Sequence, residues 1–337
     1  MAIDLHVHWV PETLAEQLRA RRVAPWIERA ADGAEWLQMP IGRLAFTESY
    51  TDMGARLDFM DGLGVGRQVL SFPGLFGLDS RPAAEALPLL RLYNDETATL
   101  CGQHPDRFSG LAALPFDDIA AAVAEYRRAR DDLGLIGAIL PNNFFLSLDL
   151  AARLGPILDV AEEVGGHLFI HPGRRPEQAE TMDAVGDAAG ATRYADSVMA
   201  RRQLEIQHQV AEAMVTLIYG DLLDGYANFS IHIANIGGTL ALVIERIQET
   251  ARLRAPGEAP PMHRLRRLYV DSSSMGPRAI EAAVAIYGAD RVVLGSDCPI
   301  YSTEFSLRAL DEARIDAEAR AAIRTGNAAA MLAGLLP

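Results

Sequence analysis

The first residues of the chain place two histidines two positions apart in a pattern typical of a β-strand. Ile3, Leu5 and Val7 alternate with polar residues, among them His6 and His8. Because strand side chains alternate between faces, both imidazoles point to one side, and a rise of about 3.3 Å per residue lets their nitrogens reach one ion. The motif indicates a pair of metal ligands, although two ordinary histidines of a half-buried strand would leave the same pattern.

Three further polar residues end or directly follow apolar runs that have the length of buried strands. They are His171, Asn235 and Asp297. Imidazole and carboxylate groups bind Zn²⁺ and similar divalent ions, with one coordination position left for water. We therefore predict one divalent ion, Zn²⁺ in preference to Mn²⁺, held by His6, His8, His171 and Asp297. Asp297 is also placed to move a proton of the bound water.

Strand-like and helical segments alternate along the chain. The eight predicted strands, each followed by a helix, cover residues 1–9, 67–72, 107–114, 135–140, 166–171, 228–235, 268–272 and 291–296. This pattern, without an interdomain linker, predicts an α/β protein with a single (β/α)8 TIM barrel domain over residues 1–337. Active sites of such barrels lie at the carboxyl ends of the strands, which is where the polar residues above are expected.

Two long insertions interrupt the predicted barrel, after strands 1 and 5, at 11–49 and 173–202. The first is too long for an ordinary connection, so we expect an irregular segment that serves as a lid or substrate loop.

The composition limits the kinds of partner and site. A net charge of −14 and a pI near 5.0 argue against binding to nucleic acid or to an anionic membrane surface. Two cysteines are too few for a disulfide framework, which favours the cytoplasm. The chain contains no lysine, so a carboxylated lysine cannot bridge two metal ions. We expect a mononuclear, cytoplasmic enzyme that acts on a small molecule as a homodimer.

Several stretches of the chain together resemble a known family. They are IDLHVH, LGLIGAIL, HLFIHPG, GGTLALVIERI, LYVDSS, RVVLGSDCP and GNAAAML, and they occur in order over most of the chain outside the insertions. The chain resembles the amidohydrolase-related proteins typified by aminocarboxymuconate semialdehyde decarboxylase. The resemblance implies a barrel with one metal ion and places the family's ligands on His6, His8, His171 and Asp297.

The chain departs from that family after strand 6. The family's motif there is His-Gly-Gly-Gly, whose histidine is an acid/base beside the metal, and Asn235 occupies its position when the shared segment 245–247 is aligned. An asparagine cannot carry a proton at neutral pH, so Asn235 is predicted to polarise or position the substrate. The family also holds a substrate carboxylate with an arginine ahead of the first helix. Arg43 lies near that position, and a solvent-exposed arginine would fit it equally well.

Three more polar residues lie near the predicted strand ends. His232 is three residues before Asn235, so strand alternation turns it to the opposite face, where we expect a packed histidine. His167 is in register with His171 but ~13 Å down the strand, at the barrel floor. Asp271 is either a hydrogen-bond acceptor beside the site or a cap at the end of strand 7.

The main functional hypothesis is a metal-dependent hydrolase of a small carboxylated ring compound or ring-cleavage product. A metal-activated water would attack and Asp297 would move the proton, so no histidine is needed at position 235. The alternative is a non-oxidative decarboxylase of an aromatic or muconate-type acid, which needs another proton donor. A second alternative is a catalytically silent protein that only binds metal and ligand.

Overall fold

The computed structural model describes residues 1–40, 42–179 and 198–336. Eight parallel strands follow one another in chain order around a barrel, which confirms the predicted (β/α)8 fold. The barrel strands are β1 (Ala2–His8), β5 (Val65–Ser71), β6 (Phe108–Ala112), β7 (Gly137–Pro141), β8 (Gly166–His171), β9 (Phe229–Ile233), β10 (Leu268–Asp271) and β11 (Val292–Val293).

Hydrogen bonds between β1 and the segment from β11 onward close the barrel. The backbone N–H of Leu5 donates to Leu294 O at 3.0 Å, and that of His8 donates to Cys298 O at 2.7 Å. We call this pairing the closing seam. It brings the start of the chain next to Asp297.

Side chains that point into the barrel form one apolar core, which includes Leu5, Val69, Leu111, Phe169 and Val293. A larger core fills the space between the strands and the helices. Strand side chains therefore alternate between two buried environments, which explains why the barrel strands are apolar on both faces.

Helices surround the barrel. They are α1 (Glu12–Ala20), α2 (Met53–Leu63), α3 (Ala83–Gln103), α4 (Ile119–Asp131), α5 (Leu148–Ala152), α6 (Gly155–Val164), α7 (Val198–Tyr219), α8 (Leu240–Arg254), α9 (Pro277–Tyr287), α10 (Thr303–Glu312), α11 (Ala317–Ala321) and α12 (Asn327–Leu332). Asp52 and Asp118 start α2 and α4 by accepting a backbone N–H of the first turn. Over the described ranges, no helix has both the length and the apolar character needed to cross a membrane.

The first insertion is ordered, so the prediction of an irregular segment at 11–49 was wrong. Besides α1, it forms an antiparallel sheet of β2 (Trp26–Arg29), β3 (Glu35–Met39) and β4 (Gly42–Phe46). The sheet is stable because Ile27, Leu37 and Phe46 alternate with more exposed residues and are buried.

Pro40, which directly follows β3, lies at the carboxyl end of the barrel. Pro40 packs so closely on Gly77, in the loop after β5, that a Cβ at Gly77 would lie 3.0 Å from Pro40 Cγ. We call β3 and β4 the lid hairpin. Of the second insertion, predicted at 173–202, residues 180–197 lie outside the described residues.

Candidate metal centre

Four buried side chains converge at the carboxyl end of the barrel. His6 and His8 come from β1. His171 ends β8, and Asp297 lies just beyond β11. His8 is central, with its Nε2 3.3 Å from His6 Nε2 and 3.2 Å from His171 Nε2. Asp297 Oδ1 lies 3.1 Å from the same nitrogen. The structure brings together the four residues that were predicted as ligands, with one ligand atom of each within 4.8 Å of the others.

The second ring nitrogen of each of these histidines already has a partner. His6 Nδ1 lies 2.9 Å from Asp271 Oδ2, and His171 Nδ1 lies 2.8 Å from the carbonyl oxygen of the next residue. His8 Nδ1 lies 3.1 Å from Ser71 Oγ and 3.3 Å from Ser71 O. A ring N–H that donates to such an acceptor fixes the tautomer and leaves Nε2 free to bind a metal.

The spacing of the ligand atoms fits one divalent ion. Tetrahedral zinc with bonds of about 2.0–2.1 Å has its ligand atoms about 3.4 Å apart, and His8 Nε2 lies 3.1–3.3 Å from its three neighbours. Asp297 Oδ1 is buried and has no hydrogen-bond partner within the described ranges, as expected for an oxygen that faces an ion. The residues present could therefore hold a metal ion.

Burial and neighbouring charges set the protonation of the cluster. Burial lowers the pKa of His6, but the carboxylates of Asp271 and Asp297 outweigh this effect and raise the pKa to about 10. Burial lowers the pKa of His8 and, together with the neighbouring imidazoles, that of His171. Burial raises the pKa of Asp297, but His6 and His8 hold it below its ordinary value. An incoming metal ion therefore has to displace the proton of His6.

Metal uptake is expected to release one proton and to become tighter as the pH rises. His6 keeps its proton up to a pKa of about 10 in the metal-free protein, so the metal dissociation constant should fall about tenfold per pH unit around neutral pH. Titration of metal-free protein with Mn²⁺ at several pH values measures this slope. Calorimetry in two buffers of different ionisation enthalpy counts the proton. A dissociation constant that does not change with pH would contradict the expectation.

Asn235 is connected to the cluster through Asp271. The backbone N–H of Asn235 donates to Asp271 Oδ1 at 3.1 Å, and Oδ2 of the same carboxylate lies next to His6 Nδ1. The side-chain nitrogen of Asn235 donates to Ser273 O at 3.2 Å and to Ser274 Oγ at 2.9 Å. The structure thus places Asn235 beside the site, with its amide nitrogen committed to the loop after β10.

The turn that carries Asn235 has an uncommon backbone conformation. β9 ends at Ile233, and φ is +55° at Asn235 and +51° at Ile236. Asparagine tolerates this left-handed region, whereas a β-branched isoleucine is strained there. Gly238 is required because a Cβ at this position would lie 2.1 Å from Gln207 O. Such strain is typical of segments that shape a functional site.

His232 points into the barrel and not to the opposite face, so that prediction was wrong. Ile231 and Ile233 pack in the outer core, and His232 between them turns inward, where it stacks on Phe169 with 3.9 Å between ring centroids. The prediction counted alternation back from Asn235. That residue lies beyond the end of the strand, in the left-handed region, so the count does not apply to it.

Arg43 lies on the lid hairpin. It is exposed on β4, and its guanidinium carbon is 4.5 Å from the centroid of the Trp36 ring. The hairpin packs on the mouth of the barrel through Pro40. A role of Arg43 in substrate binding stays a prediction.

Of the hydrogen-bond partners of the clustered histidines, the sequence left the role of one undecided and did not indicate another. Asp271, for which two roles were open, fills both, since it is the acceptor beside His6 and also accepts the backbone N–H of Ser273 at 2.9 Å. Ser71, the partner of His8, was not singled out. Ser71 could have been found by the pattern that indicated the ligands, because it is a polar residue near the carboxyl end of a predicted strand.

Curated proteins similar to this chain are decarboxylases. The 2-amino-3-carboxymuconate-6-semialdehyde decarboxylase of Dictyostelium discoideum is 26% identical over 309 residues, which cover 89% of this chain and 82% of that protein. The gamma-resorcylate decarboxylase of Rhizobium radiobacter is 26% identical over 269 residues, which cover 72% of this chain and 76% of that protein.

Solved structures of decarboxylases have the same fold as this chain. The 5-carboxyvanillate decarboxylase of Sphingomonas paucimobilis superposes with a TM-score of 0.75 at 20% identity, over 98% of each chain. A dihydroxybenzoic acid decarboxylase from a Polaromonas species, with bound manganese and the inhibitor 2-nitroresorcinol, superposes with a TM-score of 0.72 at 19% identity. The match covers 98% of this chain and 96% of that one.

These relatives correct the main functional hypothesis. The hydrolase hypothesis is wrong, because the similar proteins are decarboxylases, as in the alternative. The hypothesis relied on Asn235, which cannot carry a proton. The decarboxylase alternative needs another proton donor, and the same cluster contains one carboxylate, that of Asp297.

A family model described as Amidohydrolase matches residues 3–333. The match includes all four clustered residues and agrees with the resemblance inferred from the sequence motifs. The prediction of an enzyme of the amidohydrolase type is thereby confirmed. The chain belongs to the amidohydrolase family.

Proposed function

We propose that the protein is a metal-dependent decarboxylase that removes CO₂, without oxidation, from an aromatic or muconate-type acid. The observation that carries the proposal is that two decarboxylases of carboxylated substrates match 72–89% of this chain. The convergence of three imidazoles and one carboxylate at the barrel mouth supports it, since this arrangement suits a single divalent ion.

We propose that the ion is held by Nε2 of the three histidines and by a carboxylate oxygen, from His6, His8, His171 and Asp297. When bound, the ion would supply positive charge beside substrate oxygens. Zn²⁺ is the ion that the sequence favours, whereas the related Polaromonas structure contains manganese. Elemental analysis of protein purified without added metal identifies the ion.

Asp297 is proposed as the proton carrier. Decarboxylation replaces a C–C bond by a C–H bond, so each CO₂ released requires one proton at the same carbon. Asp297 is the only carboxylate among the four clustered residues, and its Oδ1 lies within 3.5 Å of the Nε2 atoms of His6 and His8.

Asn235 and Arg43 are proposed to orient the substrate. The amide nitrogen of Asn235 already donates to Ser273 and Ser274, so its amide oxygen is the group offered to a substrate hydroxyl. Arg43 would pair with a substrate carboxylate when the lid hairpin lies over the mouth. A single domain, a homodimer and a cytoplasmic location stay predictions.

The reaction is tested by measuring CO₂ release in D₂O. The panel is 2,6-dihydroxybenzoate with its methyl ester and 5-carboxyvanillate with its dimethyl ester. We expect one equivalent of CO₂ per product from at least one acid, and one deuterium at the carbon that lost CO₂. The esters serve as a matched control because they cannot lose CO₂, whereas a hydrolase would cleave them. Ester cleavage without CO₂ release from either acid would contradict the proposal.

A further inference from the structure

Four buried polar side chains and the partly buried Ser230 form a continuous line through the barrel below the clustered residues. Ser230 Oγ lies 2.8 Å from His167 Nδ1, and His167 Nε2 lies 2.6 Å from His232 Nδ1. His232 Nε2 lies 3.4 Å from Asp271 Oδ2, which is 2.9 Å from His6 Nδ1. We call these five residues the histidine line. It joins a proposed metal ligand to the opposite part of the barrel interior.

One arrangement of protons along the histidine line is compatible with an ionised Asp271. This carboxylate can only accept, so the two ring nitrogens that face it, His6 Nδ1 and His232 Nε2, both carry a proton. A neutral His232 then accepts at Nδ1 from the N–H of His167. His167 accepts at its other nitrogen from the hydroxyl of Ser230. Burial lowers the pKa of both His167 and His232, in agreement with two neutral rings.

The structure holds the ring of His232 with Nε2 toward Asp271. The ring stacks on Phe169 and His167, with centroid distances of 3.9 and 4.8 Å. Its Nε2 lies 3.4 Å from Asp271 Oδ2 and makes no hydrogen bond of good geometry within the described ranges. The hydrogen bond from His167 keeps the proton of His232 on that nitrogen.

His167 and His232 lie in a part of the barrel interior that is otherwise apolar. The neighbouring inward side chains are apolar, among them Leu111 and Ile139. Burying a polar group costs free energy unless it is hydrogen-bonded, so an apolar pair would fill this space at lower cost. His167 and His232 are both completely buried and are joined to each other through their ring nitrogens, which points to a role beyond packing.

We propose that His232, oriented by His167, is a positioning residue that fixes Asp271 and thereby holds the His6 ring with Nε2 toward the metal. His6 and His232 approach the same oxygen, Oδ2, while Oδ1 accepts two backbone N–H groups. Without His232, only His6 of the two rings remains at Oδ2, so the carboxylate can turn about its Oδ1 contacts and shift the His6 ring. The inference rests on the metal site of the proposed function.

The test compares His232→Phe with His232→Gln. Phenylalanine keeps the stacking on Phe169 but has no N–H, whereas the glutamine amide places an N–H where Nε2 was. His263→Phe, at an exposed histidine, is the matched control. The readouts are the Mn²⁺ dissociation constant, from competition with a chromophoric chelator, and the ¹⁵N shifts of the His6 ring.

We expect His232→Phe to weaken Mn²⁺ binding about 10- to 100-fold, the usual cost of disturbing the hydrogen-bond partner of a metal ligand. The ¹⁵N shift of His6 Nδ1 in the metal-free protein, which depends on its hydrogen bond to Asp271, should then differ from that of wild type. His232→Gln should restore binding to within about threefold of wild type, because a positioned N–H is again available. The control should match wild type in both readouts.

The outcomes separate this inference from the proposed function. A His232→Phe variant that binds Mn²⁺ like wild type and keeps the wild-type ¹⁵N shift of His6 Nδ1 overturns the inference and leaves the metal site standing. A wild-type protein that binds no Mn²⁺ overturns the proposed function. If His232→Phe does not fold, His167→Phe replaces it. His232 can then move its proton to Nδ1, so weaker binding is again expected, and unchanged binding overturns the inference.

Discussion

Asp297→Asn is expected to lower turnover by at least about 100-fold, the low end of what a positioned acid/base contributes. The substitution keeps the shape of the side chain but removes its charge and its ability to move a proton. Asp297 is the only carboxylate among the clustered residues, so the remaining three ligands cannot replace it. Rates of CO₂ release, measured with the metal content of the same sample, test this.

Asp290→Asn is the control for that experiment, because Asp290 is an exposed carboxylate paired with Arg266. Its turnover should equal that of wild type. Near-normal turnover of Asp297→Asn with full metal occupancy would mean that Asp297 neither carries the proton nor is needed to hold the ion.

His8→Ala is expected to weaken metal binding by more than about 100-fold, since losing a ligand costs more than losing a ligand's hydrogen-bond partner. His8 was chosen because its Nε2 lies within 3.3 Å of a ligand atom of each of the other three residues. Wild-type protein should hold one ion per chain after dialysis against a weak chelator, and the variant should hold none.

The exposed His263 provides the matched substitution, His263→Ala, which should keep one ion per chain. The unfolding temperature of the metal-free proteins separates loss of the ligand from loss of the fold. If His8→Ala retains a stoichiometric ion under the same dialysis, the four-residue site is wrong.

The convergence of the four clustered residues could be predicted because it depends on short-range rules. His6 and His8 are two positions apart, and His171 and Asp297 come at the ends of apolar runs. The topology of a parallel barrel then brings strand ends together whatever the sequence between them. The closing seam, which sets the distance between β1 and Asp297, follows from the same topology.

Other features depend on where a strand stops, which the apolar pattern does not show. The run that contains His232 continues to Ala234, but the hydrogen-bonded strand ends at Ile233 and the backbone then enters the left-handed region at Asn235. A shift of one residue at that end reverses the face assigned to His232. For this reason the sequence did not predict the histidine line.

The reaction type could not be predicted from the local sequence pattern either. Asn235 was given the decisive weight because its side chain cannot titrate. The chemistry of the site depends on the whole cluster, in which Asp297 remains a carboxylate. The antiparallel sheet of the first insertion was not predicted because its short strands, at 26–29, 35–39 and 42–46, bury few side chains each.

The closing seam joins the two ends of a long chain with few backbone hydrogen bonds, and β11 pairs with β10 through two residues only. Two of the proposed ligands lie on β1 and a third lies just past β11, so an ion held by them cross-links the first and last strands. Binding to the folded state alone adds about 4 kcal/mol of stability at a free-ion concentration of about 1,000 times the dissociation constant. Amide hydrogen exchange at Leu5 and His8, whose N–H groups form the seam, therefore reports how often the barrel opens and how far the ion suppresses that opening.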